Sequence, residues 1–207
     1  MSEKNSKKSI FNIKNRNTMS SKLLFLAGSA RKDSLNKKLA KVAYNLALAQ
    51  GADATFIDLK DYPLPIYDGD LEDESGLPDN AVKLKQLFSE HAGLFIASPE
   101  YNSSISALLK NTLDWISRSH AVDEKPLSAY RDKVAAIVAA SGGGLGGLRG
   151  LVPLRMLLGN IQVLVLPQQL ALANATSAFD EQGQLVEAKK EKALGAIVAK
   201  LIAATAT

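Results

Sequence analysis

Apolar residues recur along this chain in two rhythms. Short, mostly apolar runs occupy residues 22–27 (KLLFLA), 54–59, 93–97 (GLFIA), 134–140 (VAAIVAA) and 161–166. Runs this short and this continuous predict strands buried on both faces of a sheet. Between them, apolar positions return every three or four residues. Leu35, Leu39, Val42 and Leu46 form one such series, opened by Ser34 as a helix cap and closed by Gly51. Val82, Leu84, Leu87 and Phe88 form a second over 81–91. Ile105, Leu108, Leu109, Leu113 and Ile116 form a third over 105–118. Residues 148–158 and 187–204 complete the set, and Pro153 is expected to delay the start of the former or kink it. Five strands alternating with helices predict βαβ units and one parallel α/β sheet covered on both faces. Neither an internal repeat nor a second domain interrupts the pattern.

Sheets of this kind bind ligands beyond the carboxyl ends of their strands. The loops there read GSARKDS (28–34), SPEYNSS (98–104) and SGGGLGG (141–147), while the loop after the second strand, 60–79, is long and acidic. In the first loop, free backbone N–H groups and the helix dipole favour an anion. Ser29 and Ser34 add hydroxyls, Arg31 a fixed charge and Asn36 an amide, a set suited to a terminal phosphate. A plain helix cap with a solvated arginine is the competing reading. In the second loop, Pro99 stiffens the turn, Asn102 and the turn amides can bond a heteroaromatic edge, and Tyr101 can pack on a ring face. An ordinary Pro–Asn turn with an exposed tyrosine has the same sequence.

The stretch SGGGLGGLRG (141–150) contains a literal G-x-G-x-x-G at Gly142, Gly144 and Gly147. A dinucleotide fingerprint belongs after the first strand, with a ribose-binding acid about 20 residues on. This one follows the fourth strand, and Gln162 and Val163 stand where the acid is needed. Gly142 and Gly143 can instead bring backbone amides against a ligand edge, because no Cβ intrudes. The first loop also lacks the Walker pattern.

Composition removes other chemistry. With no cysteine, disulfides, thiolate metal sites and cysteine nucleophiles are excluded, and two histidines are too few for a multi-histidine centre. The net charge of +4 sits in the first 18 residues, where Lys4, Lys7, Lys8, Lys14 and Arg16 face Glu3; the rest of the chain balances. The high isoelectric point therefore belongs to the tail and does not mark a nucleic-acid face. Residues 1–20 read as a disordered basic tail without the apolar core of a secretory signal, and Met19 is an alternative start. Residues 21–207 read as a single domain, with the cytoplasm as its default location. The acidic 68–74 segment lacks the glycine of a calcium loop and reads as a solvated loop. Trp115 reads as core or interface packing.

GSARKDSLN, then PEYN, then SGG, each after the expected strand, resemble the NADPH-dependent FMN reductase family, the flavodoxin-like quinone, azo-dye and chromate reductases. The resemblance runs from about residue 22 to the last helix and includes Lys110, Asn111, Asp114 and Trp115. It implies a flavodoxin-like, doubly wound, five-stranded parallel sheet of order 2-1-3-4-5. It implies bound FMN, its phosphate held by Ser29, Arg31, Ser34 and Asn36. Pro99, Glu100, Tyr101 and Asn102 would line its isoalloxazine, with Ser141, Gly142 and Gly143 at the ring edge. The implied chemistry is ping-pong hydride transfer from NADPH or NADH through FMN to a quinone or similar acceptor (an azo compound, chromate or free flavin), with no catalytic side chain. It also implies a homodimer or homotetramer. The alternative is a flavodoxin-type electron carrier, against which the neutral domain argues. Arg149 is expected near the nicotinamide phosphates or in a pair across an interface. The sequence departs from the family after PEYN: the Gly-Ser-x-Pro-Gly often found there is replaced by Ser103, Ser104, Ile105, Ser106 and Ala107.

Overall fold

The computed structural model describes residues 21–206, so the reading of residues 1–20 as a disordered tail lies outside the described residues. Five strands form one sheet: β1 (Leu23–Ala27), β2 (Ala54–Phe56), β3 (Gly93–Ala97), β4 (Val134–Ala140) and β5 (Leu164–Leu172). They pair in parallel in the order β2-β1-β3-β4-β5, as the resemblance implies. Among the described residues five α-helices lie between the strands, α1 (Leu35–Ala49), α2 (Gly69–Ser75), α3 (Asp79–Glu90), α4 (Ala107–Ser117) and α5 (Leu148–Asn160), and α6 (Ala188–Thr205) follows β5.

Every residue of β1, β3 and β4 is buried, which is why these strands carry no polar alternation. Successive side chains go to opposite faces. Leu23, Phe25, Ala27, Phe95 and Ala97 join one core with α1 and α6, and Leu24, Leu26, Leu94 and Ile96 join the other with α3, α4 and α5. The chain moves from β1 to β2 on one side and to β3 on the other. The loops after β1 and β3 therefore diverge and leave a crevice between them.

The elements differ from the sequence expectation in four places. The second strand stops at Phe56, and Leu59–Asp61 turns into a 3-10 helix capped by Asp58, whose carboxylate accepts the Lys60 N–H at 3.0 Å. α2 was not anticipated within the acidic loop; none of its residues is buried, so it leaves no apolar rhythm. α4 starts at Ala107 rather than Ile105, because the Ser106 hydroxyl caps it by accepting the Leu109 N–H at 3.1 Å. β5 starts later than 161 and continues past Leu166 to Leu172. Ala135 pairs with Val165 but Ile137 with Gln169, so the strand bulges around Pro167, as an edge strand can. Arg155 of α5 holds the bulge, donating to the Leu166 carbonyl at 2.7 Å and to Gln169 Oε1 at 2.9 Å. α5 itself starts at Leu148 and carries Pro153 in its interior.

A partly buried ionic latch joins α3 to the segment after α4. Lys85 reaches the Glu124 carboxylate at 2.5 Å and also donates to the Arg118 carbonyl. Burial alone would raise the Glu124 carboxyl. Hydrogen bonds from Lys85, Ser128 and the His120 N–H outweigh it and hold the group down to about 2. Because the folded value lies below the unfolded one near 4.5, this contribution to stability is complete above pH 4.5 and is lost as pH falls toward 2. A Glu124→Gln variant should accordingly show a flatter loss of stability between pH 4.5 and 2 in urea titrations. An acid limb as steep as that of the parent would show that the latch does not link to protons.

Candidate functional site

The loop after β1 enters α1 through Ser34, whose hydroxyl accepts the Lys37 N–H at 3.3 Å. Ser29 accepts the Arg31 N–H at 3.3 Å. Each hydroxyl thus acts as an acceptor within the chain and keeps its proton to donate outward. Both serines are buried, whereas Arg31 is exposed and enters no ion pair among the described residues. Asn36 is a cross-tie: its amide donates to the Ala140 carbonyl and accepts the Ala140 N–H, both at 2.9 Å. It fixes the end of β4 against α1 and leaves one N–H for a ligand.

The loop after β3 is anchored by Ser98 and Pro99, both buried. Tyr101 and Ser104 exchange backbone hydrogen bonds at 2.9 and 3.0 Å around Asn102 and Ser103, with φ of 51° and 66°. Two successive left-handed residues form the hairpin turn that favours Asn-Gly. Ser103 occupies the position where glycine would relieve strain. Ser103→Gly should raise stability by about 0.5–1 kcal/mol in urea unfolding at an unchanged m-value. A loss of stability would show that the serine conformation carries no strain. Ser106, beyond the turn, also donates to the Gly28 carbonyl at 2.6 Å and so ties this loop to the first.

The glycine loop divides in two. Gly142, Gly143 and Gly144 are exposed, and a Cβ at Gly143 would meet only Ser141 Oγ, at 3.8 Å. Gly146 and Gly147 are buried with φ of +61° and +87° and pack against the backbone of β5 and the side chain of Ala139. Only the first half is available to a ligand. The loop is braced by the Asn174 N–H on the Gly143 carbonyl at 3.2 Å and the Ala175 N–H on the Ser141 carbonyl at 2.9 Å.

These loops converge. Ser29, Arg31, Ser34 and Asn36 face Pro99, Glu100 and Tyr101 across a polar cavity of about 170 Å³ that Ser141 and Gly142 complete. Gly143 lies on the exposed loop next to it. Asn102 instead lines a second, largely apolar hollow of about 550 Å³ between α4 and α5, which shares Tyr101 with the first. The donor set fits FMN: two hydroxyl protons, an unpaired guanidinium and the first-turn amides of α1 suit a phosphate, and the bare faces of Gly142 and Gly143 admit a flat ring.

Three placements were not legible from the sequence. The Glu100 side chain turns onto α5, where it pairs with Arg149 at 2.6 Å, so Arg149 has its partner within its own chain. Asn111 and Trp115 donate to the Pro65 carbonyl at 2.8 and 2.9 Å, fastening the acidic loop to α4. His91, which caps the carboxyl end of α3, is buried between the Leu87 carbonyl and the Thr55 hydroxyl. Among the described residues no helix is long and apolar enough to cross a membrane, and no cluster of His, Asp and Glu could hold a metal.

Residues 21–177 match the model of a family described as NADPH-dependent FMN reductase. An NADPH:quinone oxidoreductase of Arabidopsis thaliana is 34% identical over 185 residues, 87% of this chain and 89% of the relative. A 2-hydroxy-1,4-benzoquinone reductase of Burkholderia sp is 31% identical over 186 residues, covering 89% of this chain and 96% of the relative. Among solved structures, the flavoenzyme NAD(P)H:(acceptor) oxidoreductase FerB of Paracoccus denitrificans superposes with a TM-score of 0.76 at 26% identity, over 89% of this chain and 97% of that one.

Proposed function

Since this chain belongs to the NADPH-dependent FMN reductase family, we propose that it is an NAD(P)H:quinone reductase holding FMN at the carboxyl ends of β1, β3 and β4. The observation that carries the reading is the convergence of GSARKDS, PEYN and SGG on one polar cavity. Ser29, Ser34, Arg31 and the α1 amides hold the phosphate, and the remaining N–H of Asn36 completes that end. Gly142 and Gly143 let the backbone approach the ring edge, and Ser141 keeps its hydroxyl proton for a ring acceptor while taking the Gly143 N–H at 3.3 Å. Bound FMN would take two electrons from NADPH or NADH and pass them to an acceptor. The apolar hollow beyond Tyr101 suits a flat acceptor such as a quinone, with azo compounds, chromate and free flavin as further candidates. Leu148, Val152 and Met156 form an exposed apolar stripe on α5, which suits pairing of copies into a homodimer or homotetramer.

The alternative, a flavodoxin-type carrier, shares the fold and the cofactor. Steady-state turnover separates the two. The reductase reading expects NAD(P)H oxidation with parallel double-reciprocal lines as quinone is varied. A protein that retains FMN but oxidises NAD(P)H no faster than free FMN would favour the carrier.

A further inference from the structure

Glu100 lies in the loop expected to meet the flavin ring, yet its carboxylate is engaged within the protein. Oε2 accepts the N–H of Arg149 at 3.1 Å and of Gly150 at 3.3 Å. Oε1 accepts Arg149 Nε at 2.7 Å and lies 2.6 Å from Nη2. The first-turn amides of a helix have no partners inside it, and α5, which follows Gly147, has no side-chain cap of its own. Glu100 supplies that cap from a loop 49 residues earlier. Its side chain is 9% exposed and borders the polar cavity, whereas that of Arg149 is 60% exposed.

We propose that Glu100 is a positioning residue that clamps the 99–102 turn onto the glycine loop and cancels the charge of Arg149 beside the flavin ring, so that this pair sets the preference of the site for reduced over oxidised FMN. The proposal rests on the FMN-binding reading above. Its physical basis is charge balance. Reduction makes the isoalloxazine more negative, so an uncompensated Arg149 would favour the reduced form and an uncompensated Glu100 the oxidised one. The exposure of Arg149 makes the pair a weak contributor to stability, so its effect belongs in the potential.

The test compares the wild type, Glu100→Gln, Arg149→Met and the double variant, each loaded with FMN, by midpoint potential against reference dyes. Gln keeps an acceptor for the α5 amides, and Met keeps the length of the arginine stem. We expect Glu100→Gln to favour reduced FMN by on the order of tenfold, about 30 mV upward for a two-electron couple. Arg149→Met should shift the potential downward by a similar factor, and the double variant should return close to wild type. Should Glu100→Gln not accumulate as folded protein, the downward shift in Arg149→Met decides alone. Equal potentials in the folded, FMN-loaded proteins would overturn the proposal while leaving FMN binding intact. A double variant whose potential stays displaced as far as that of either single variant would overturn it too. A wild type that does not retain FMN would overturn both the functional reading and this inference.

Discussion

Gly146→Ala should cost about 2–4 kcal/mol of folding stability. The added Cβ would lie 2.6 Å from the Ala173 nitrogen and 2.7 Å from the carbonyl carbons of Ala171 and Leu172. All three are backbone atoms, so no side chain can rotate away. They are also held: Leu172 pairs with Ala140 in the sheet, and its carbonyl accepts the Ser141 N–H at 3.1 Å. The left-handed φ of +61° adds about 1 kcal/mol for a residue with a Cβ, and forced overpacking typically adds 1–3. Urea unfolding measures the sum. A midpoint equal to that of the parent would show that the loop does not pack on β5 as described.

Gly143→Val should do the opposite, leaving stability within about 1 kcal/mol and weakening FMN binding at least tenfold. Gly143 is exposed, its φ is not left-handed, and a Cβ there meets only Ser141 Oγ, at 3.8 Å. Exposed substitutions without strain or lost contacts rarely change stability much. The branched side chain would stand where the ring edge approaches the backbone, and tenfold corresponds to about 1.4 kcal/mol of lost contact. Isothermal titration of the folded variant with FMN reads the affinity directly. Undiminished affinity would place the ring elsewhere. The two glycines lie three residues apart, yet a Cβ would collide with backbone at Gly146 and meet only Ser141 Oγ at Gly143.

What the sequence could reveal followed from how local each cause is. VAAIVAA announces β4 because helices cover it on both faces, so every position is apolar. β5 is an edge strand whose second half is partly exposed and contains Pro167, so nothing in its composition marks the continuation to Leu172; the register against β4 and the grip of Arg155 set it. The same distinction holds at the cleft. Ser29, Arg31 and Ser34 could be named as candidates because a strand running into a helix puts neighbouring residues beside free amides, and the structure brings all three to one cavity. The bond of Asn36 to Ala140 spans 104 residues and that of Glu100 to Arg149 spans 49, so neither has a local signature. Glu100 was therefore legible as part of PEYN but not as the cap of α5. The G-x-G-x-x-G spelling was legible yet divided by tertiary packing, since Gly147 serves the approach to Ala139 while Gly142 borders the cavity.

If the three loops hold FMN, NAD(P)H should reduce it there. The most direct measurement is the visible spectrum of the purified protein, reconstituted with FMN, desalted, and mixed anaerobically with NADPH or NADH. We expect a yellow protein whose flavin band survives desalting, bleaches on adding the nucleotide and returns on adding a quinone. A colourless protein after desalting, or a flavin band that neither nucleotide bleaches, would contradict it.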